Sequence, residues 1–260
     1  MSAESPYDQI AAYYDLEHRS FTEDVDMYLQ FIEAAGDPVL ELGCGTGRIL
    51  RGIAESGFAV TGVDSSAPML EFARRVISLE GLGDSITLIE GDFSATNLVA
   101  PDAFGVVIVG LDSLLHATTL DDQLAVLRAA WQALDPRGQL IVDVLNPTPA
   151  RLMAMDGGLT FQGAWDMGAG ARLDKLVSQT IDPADQLISS EIWYEAPTAD
   201  GRVKRTRTGF TQRWIGIGEL LLMLQLVGFQ DWRIYGSYEL DPLEAQSDRL
   251  IVAAEKTKTD

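Results

Sequence analysis

The chain has little of the residues that form disulfides or bind metal ions. Cys44 is the only cysteine among the 260 residues, so no intrachain disulfide can form. The two histidines form no pair at the spacing of metal ligands, and we expect no metal site. A single cysteine is typical of a reducing compartment, which predicts a cytoplasmic protein.

Long apolar segments are also lacking. The first ten residues, MSAESPYDQI, carry acids and no apolar core, which argues against a secretory signal. The most apolar run begins at Leu220 and ends at Phe229, whereas a membrane-spanning helix needs about 20 residues. The sequence therefore predicts that the protein has no membrane partner.

Basic residues are few. Nineteen lysines and arginines, only four of them lysines, stand against 39 acids, for a net charge of −20. Nucleic-acid binding depends on neutralising many phosphates with Lys and Arg, so this balance argues against a nucleic-acid partner. The basic cluster at residues 202–207 alternates along a strand and is interpreted as a solvated face. The acidity favours a cationic or neutral small-molecule substrate.

Residues 38–145 alternate short apolar runs with longer amphipathic stretches. The apolar runs predict five strands: Val39–Leu42, Ala59–Val63, Ile86–Ile89, Val106–Val109 and Leu140–Val144. Apolar residues recur at helical spacing in three stretches between them: Gly47–Glu55, Ala67–Leu79 and Asp121–Leu134. Runs such as VVIV lack polar alternation, as expected of parallel strands covered on both faces. This order predicts an α/β fold with a doubly wound, Rossmann-like sheet.

The pattern changes after Asn146, where strand-like stretches are joined by turn residues. These stretches are Leu173–Ile181, Leu187–Glu195 and Val203–Trp214. We therefore predict an α/β domain at 1–146 and 216–260, interrupted at 147–215 by an antiparallel β subdomain that covers the substrate.

The α/β domain is predicted to resume with a helix at Ile217–Val227, stopped by Gly228, and with two strands. The strands are Asp231–Tyr235 and Leu250–Ala254. Because Leu220–Val227 is apolar almost all round, we interpret the helix as buried, and a homodimer face is a second role considered for it.

A glycine-rich turn follows the first predicted strand, in the segment VLELGCGTGR that begins at Val39. Glycine permits positive φ at a sharp turn and lets a ligand approach the backbone closely. A dinucleotide fingerprint counted from Gly43 would place its third glycine at position 48, which is Arg48. Glu41 precedes the turn, and its charge suits a ligand with an ammonium and a sulfonium better than a pyrophosphate.

Two further acids follow the next two strands. Asp64 ends the second strand, 21 positions after Gly43, where a carboxylate can accept both hydroxyls of a ribose. Asp92, in the segment EGDF, ends the third strand. Any one acid is explained equally well as a strand-end or turn residue, but three in order after consecutive strands indicate a binding site.

The segment ELGCGTG resembles the first motif of the class I S-adenosylmethionine-dependent methyltransferases. The resemblance runs from about Tyr7 to Ala254, through YDQIAAYYD at Tyr7, GLDSLLH at Gly110 and VDVLNP at Val142. Within the class, the chain is similar to bacterial small-molecule enzymes with a β-insertion before the last helix. The resemblance implies S-adenosylmethionine as the cofactor.

The resemblance also implies which residues hold the methionine part of the cofactor. Glu41 and the glycine turn, with Gly43, Cys44 and Gly45, are expected at this part. The backbone of Leu111 is expected to border it.

The ribose and adenine are assigned in the same way. The resemblance implies that Asp64, with the adjacent Ser65, binds the ribose and that Met69 packs near the adenine. Asp92 and Phe93 are expected to bind the adenine edge.

Two residues are candidates for catalysis. His116 is the only histidine expected near the crevice, and it would serve as a base for an amine, hydroxyl or acidic carbon. Its alternative role is to cap or pack at a helix start. Tyr14, which the resemblance places over the cofactor, would contact the transferring methyl or the substrate, with cofactor cover alone as the alternative.

The sequence thus predicts methyl transfer from S-adenosylmethionine to an N, O or C nucleophile of a small molecule. The alternatives are a non-catalytic S-adenosylmethionine-binding protein and an RNA or tRNA methyltransferase. An enzyme using decarboxylated S-adenosylmethionine lacks a clear pair of acids for a polyamine. A dinucleotide oxidoreductase is disfavoured by Arg48.

Overall fold

In a computed structural model that describes residues 7, 9–198 and 200–257, the N-terminal part of the chain alternates helices and strands. Two helices come first: α1 (Ala11–His18) and α2 (Glu23–Ala35). Five strands follow with three helices among them: β1 (Val39–Leu42), α3 (Arg48–Glu55), β2 (Val60–Asp64), α4 (Ala67–Glu80), β3 (Ile86–Glu90), β4 (Phe104–Val109), α5 (Leu120–Ala133) and β5 (Leu134–Leu145). A short 3-10 helix at Ser113–His116 lies between β4 and α5.

The middle of the chain forms a separate antiparallel sheet after a short helix, α6 (Pro149–Met155). Its strands pair in sequence order: β6 (Leu159–Gly168), β7 (Ala171–Asp182), β8 (Leu187–Pro197) and β9 (Val203–Arg213). All four lie within residues 147–215, and the division into two structural units stays a prediction. The chain then returns to the main sheet through α7 (Ile217–Val227), β10 (Asp231–Tyr235) and β11 (Arg249–Glu255).

The main sheet has seven strands in the order β10-β11-β5-β4-β1-β2-β3. Strands β1 to β5 run parallel to one another, whereas β11 runs antiparallel to both β5 and β10. The predicted doubly wound, Rossmann-like sheet with an inserted antiparallel sheet is therefore confirmed.

Both faces of the main sheet are covered by helices, and β4 shows this directly. Val107 and Val109 pack into one apolar core together with residues of α5 and α7. Val106 and Ile108 pack into the other core, with residues of α2, α3 and α4. All four side chains have no exposed surface, which explains why the VVIV run lacks polar alternation.

Three features of the fold differ from the sequence prediction. Helix α5 leads directly into β5 at Leu134, whereas the sequence predicts a strand only at Leu140–Val144. Residues 135–138 form a bulge inside β5, between the pairs Phe104–Leu134 and Val106–Gln139. Strand β6 was not predicted because most of its residues are exposed and it lacks a one-sided apolar pattern. Helices α1, α2 and α6 were not predicted either.

Helix α7 is buried on one face only. Leu220, Met223 and Leu224 lie in the core, but Leu222 and Leu226 are 63% and 74% exposed. The expectation of a fully buried helix is therefore wrong, and the homodimer face stays a prediction. Within the described part of the chain, no helix has the length and apolar character needed to cross a bilayer.

Candidate functional site

A cavity of about 790 Å³ opens at the carboxyl ends of the parallel strands. The chain passes from β1 to β2 and β3 on one side and then crosses to β4 on the other, and ligands of doubly wound folds bind at such a reversal. Nine of the eleven cofactor residues predicted from sequence line this cavity: Tyr14, Gly43, Gly45, Asp64, Ser65, Met69, Asp92, Phe93 and Leu111.

The turn after β1 depends on glycine. Gly43 has φ of 85°, and a Cβ there would lie 2.8 Å from the Ser113 hydroxyl oxygen. Gly47 has φ of 76° and caps the N-terminus of α3 in a left-handed conformation. These conformations are unfavourable for side-chain-bearing residues, so the turn brings bare backbone to the floor of the cavity.

Asp64 ties the glycine turn to the end of β2. Its Oδ2 accepts a hydrogen bond from the Gly45 backbone N–H at 2.8 Å, and its Oδ1 accepts one from the Ser66 N–H, also at 2.8 Å. The Ser66 hydroxyl in turn caps α4 by accepting from the Met69 N–H at 3.3 Å. These hydrogen bonds hold the Asp64 carboxylate in a fixed position relative to the glycine turn and the start of α4.

Asp92 lies at the opposite rim of the cavity and is exposed. Its Oδ1 accepts hydrogen bonds from the Ser94 N–H at 2.9 Å and the Ser94 hydroxyl at 2.8 Å. This local turn orients the carboxylate and the half-buried Phe93 ring toward the same space.

Glu41 and Cys44 are the two predicted cofactor residues that do not line the cavity. Glu41 is only 3% exposed, and among the described residues its Oε2 has no hydrogen-bond partner. Burial raises the pKa of Glu41 to about 8, although Arg48, itself paired with Asp24, opposes this rise. The Cys44 side chain is buried beneath the turn against Gly62, which leaves only its backbone near the cavity.

The far wall of the cavity is aromatic and polar. The Tyr7 hydroxyl lies 3.0 Å from Nε2 of His116, and the Gln212 amide nitrogen lies 3.3 Å from the same atom. The Phe210 ring, from β9 of the inserted sheet, stacks on Tyr7 with centroids 5.6 Å apart. Burial lowers the pKa of His116 to about 4, so its imidazole is neutral at neutral pH.

Comparison with known proteins decides the family. Residues 39–138 match the model of a methyltransferase domain. The putative methyltransferase YqeM of Bacillus subtilis (strain 168) is 30% identical over 270 residues, which cover 97% of this chain and 98% of that protein. The chain is a class I S-adenosylmethionine-dependent methyltransferase.

Two further proteins are similar to this methyltransferase over most of its length. The cypemycin N-terminal methyltransferase of a Streptomyces species is 29% identical over 223 residues, which cover 85% of this chain and 84% of that one. The structure of the CcbJ methyltransferase from Streptomyces caelestis superposes with a TM-score of 0.75 at 26% identity, covering 91% of this chain and 90% of that one.

The residues of the methyltransferase site suit a cofactor with an ammonium and a sulfonium. Asp64 and Asp92 bring two carboxylates to the cavity, and the unpaired oxygen of Glu41 lies beneath the turn. No lysine or arginine among the described residues lines the cavity. A buried polar atom without a partner is costly, and a cationic ligand group near Glu41 would compensate this cost.

Tyr14 lies over the glycine turn. Its ring meets Tyr7 edge to face at 5.7 Å and stacks on His18 at 4.2 Å. A Cβ placed on Gly45 would lie 3.9 Å from the Tyr14 ring, so the ring borders the turn directly. Tyr14 and His116 therefore face one cavity, and their catalytic roles stay predictions.

Sequence reasoning missed Tyr7 and Phe210 as site residues of the methyltransferase. Tyr7 had a signal, because it begins the YDQIAAYYD segment, but that segment offered three tyrosines without distinguishing them. Phe210 had none, because the face of β9 that meets the cavity depends on how the inserted sheet packs.

Proposed function

We propose that the enzyme methylates an amine nitrogen of a small acceptor that carries no phosphate. The observation that supports this best is the composition of the acceptor side of the cavity. It holds the Tyr7–His116 pair and the carboxylate of Asp122, and no lysine or arginine of the described chain lines it. An amine donates hydrogen bonds to such groups, whereas a phosphate would meet acceptors without a compensating cation.

Two cationic side chains of the inserted sheet, Arg213 and Lys175, are engaged by other residues. Arg213, on β9, donates to Gln123 at 2.7 Å and pairs with Glu219 at 2.6 Å. Lys175, on β7, pairs with Glu17 at 2.5 Å. Because these charges are already neutralised, they do not offer a phosphate site, and the proposal excludes nucleotide-linked acceptors.

The basic cluster of the inserted sheet is also paired with acids, which bears on RNA as a substrate. In the basic cluster at residues 202–207, Arg205 pairs with Glu195 and Arg207 pairs with Glu191. Acidic partners on the neighbouring strand lower the positive potential that an RNA backbone needs. We therefore favour a small acceptor over RNA or tRNA.

We further propose that the residues predicted from sequence hold the cofactor. Asp64 and Ser65 bind the ribose, Asp92 and Phe93 bind the adenine edge, and Met69 packs beside the adenine. When bound, S-adenosylmethionine supplies an electrophilic methyl group on a sulfonium.

The methionine part lies against the glycine turn and Leu111. Gly43, Cys44 and Gly45 present backbone to it, and Glu41 acts from below with its unpaired oxygen. Tyr14 covers this end.

The lowered pKa and the hydrogen-bond contacts of His116 favour an amine over a hydroxyl acceptor. A neutral amine already carries a lone pair for in-line attack, whereas a hydroxyl needs a base to remove its proton. Nε2 of His116 is already engaged by Tyr7 and Gln212, and the lowered pKa makes the imidazole a weak base. We propose that Tyr7 and His116 orient the amine and that the product loses its proton on release to water.

The cypemycin enzyme supports the choice of nitrogen, because its name assigns it to an N-terminus. That relative is 29% identical over 223 residues, which cover 85% of this chain. An N-terminal amine and a small-molecule amine present the same attacking atom.

The test is transfer of labelled methyl from S-adenosylmethionine to matched acceptor pairs. One pair differs only in amine against hydroxyl, and a second, an amino sugar and its phosphate ester, differs only in phosphate. Bulk tRNA is a separate arm. We expect label on unphosphorylated amines and lower turnover in Asp122→Asn, which lines the cavity. The neighbouring Asp121→Asn, which does not line it, is the control. Label on the hydroxyl, the ester or tRNA would contradict the proposal.

A further inference from the structure

The turn after β4 is strained next to the cavity. Leu111 has φ of 45° and Asp112 has φ of 66°, so two consecutive non-glycine residues are left-handed. This conformation is unfavourable for residues with a side chain and persists only where the surroundings hold it. Leu111 lines the cavity, so whatever holds the turn also sets the backbone that a ligand meets.

A buried carboxylate from β5 holds the first residue of this turn. Asp143 has no exposed surface, and its Oδ2 accepts hydrogen bonds from the Leu111 N–H at 3.3 Å and from the hydroxyls of Tyr28 and Tyr238 at 3.2 Å each. The Asp143 carbonyl accepts from the Asp112 N–H at 3.1 Å. Asp143 thus fixes both strained residues.

One arginine from β11 connects this carboxylate to the turn. Nε of Arg249 donates to Oδ1 of Asp143 at 2.7 Å, and its Nη2 donates to Oδ1 of Asp112 at 3.1 Å. The same oxygen of Asp112 accepts from the Leu145 N–H at 2.6 Å. The planar guanidinium reaches two carboxylates at once, which a lysine ammonium cannot do with the same geometry.

We propose that Arg249 and Tyr238 are positioning residues that hold the Leu111 backbone in place for the amino-acid end of the cofactor. The proposal rests on the assignment of Leu111 to that end. Tyr238 lies between β10 and β11, and Arg249 begins β11. Both residues are outside the residues 39–138 that match the methyltransferase domain model.

The proposal separates the two ends of the cofactor, and this makes it testable. S-adenosylhomocysteine carries the amino-acid part, and 5′-methylthioadenosine shares the adenine, ribose and thioether but lacks it. Loss of the hydrogen bonds made by Arg249 and Tyr238 should weaken binding of S-adenosylhomocysteine only, because the residues assigned to ribose and adenine lie at or beyond the ends of β2 and β3. A variant that is partly unfolded would instead bind both ligands more weakly.

The experiment measures both ligands by calorimetry in Tyr238→Phe and Arg249→Lys. We expect the Kd of S-adenosylhomocysteine to rise at least about fivefold, because each variant loses part of the contribution of one hydrogen bond to a charged group. The Kd of 5′-methylthioadenosine should stay within about twofold of its wild-type value, because this ligand loses no hydrogen bond. Tyr235→Phe and Arg213→Lys are the controls, because Tyr235 packs on Phe31 and Arg213 pairs with Glu219.

Two outcomes overturn the inference. One is an unchanged Kd of S-adenosylhomocysteine in both variants. The other is an equal rise in the Kd values of S-adenosylhomocysteine and 5′-methylthioadenosine. Tyr238→Phe removes a single hydroxyl and leaves the ion pairs intact. If Arg249→Lys does not fold, the Kd values of Tyr238→Phe alone test the inference. If the wild-type protein itself binds both ligands equally well, the assignment of Leu111 fails rather than the role of the network.

Discussion

Binding of the cofactor's amino-acid end is expected to release a proton from Glu41. The Glu41 side chain is 3% exposed and has an unpaired Oε2 among the described residues. Burial raises its pKa to about 8, with Asp24 and Asp64 adding to the rise and Arg48 opposing it. The free protein therefore holds this carboxyl mostly protonated at pH 7. A ligand ammonium favours the ionised form, so binding and deprotonation are coupled.

The size of the effect follows from the pKa. With a value of about 8, the carboxyl is roughly 90% protonated at pH 7 and half protonated at pH 8. Complete ionisation on binding would then release about 0.9 proton at pH 7 and about 0.5 at pH 8. The affinity for the cofactor should rise with pH over this range, because fewer protons must leave Glu41 on binding as the pH increases.

Calorimetry with S-adenosylhomocysteine measures this release directly. The binding enthalpy at fixed pH should differ between buffers of small and large ionisation enthalpy in proportion to the protons released. Glu41→Gln keeps the shape of the side chain and should abolish the buffer dependence, whereas Glu55→Gln, at an exposed position, should leave it unchanged. Equal enthalpies in both buffers, or the same release from Glu41→Gln, would refute this reasoning.

Three further predictions concern the cofactor, pH and the core. Asp64→Ala should weaken binding of S-adenosylmethionine by about 2–4 kcal/mol in calorimetry, with exposed Asp84→Ala as the control. Because the folded pKa of His116 is about 4, below its ordinary value, the unfolded chain binds the extra proton. The free energy of unfolding should rise with pH between about 4 and 6.5, less so in His116→Gln, as urea titrations will show. Leu224→Ala should cost about 2–5 kcal/mol in such titrations and exposed Leu222→Ala almost nothing.

The cofactor side of the site could be predicted from sequence because its chemistry is local. Glycines at a strand end require a particular backbone turn. Asp64 is the last residue of β2, and Asp92 lies two positions after the end of β3. In a parallel sheet all carboxyl ends meet at one edge, so strand order alone brings these positions together. The burial of Glu41 could not be predicted, since it depends on helices α2 and α3 closing beneath the turn.

The acceptor side was decided by tertiary structure. Tyr7 and His116 are separated by 109 positions and meet Phe210 only because the inserted sheet packs across the carboxyl edge. Arg249 reaches Asp112 across 137 positions because β11 inserts antiparallel beside β5. Local propensity and periodicity determine which segments become strands, helices and turns, but contacts between distant segments depend on how those elements pack.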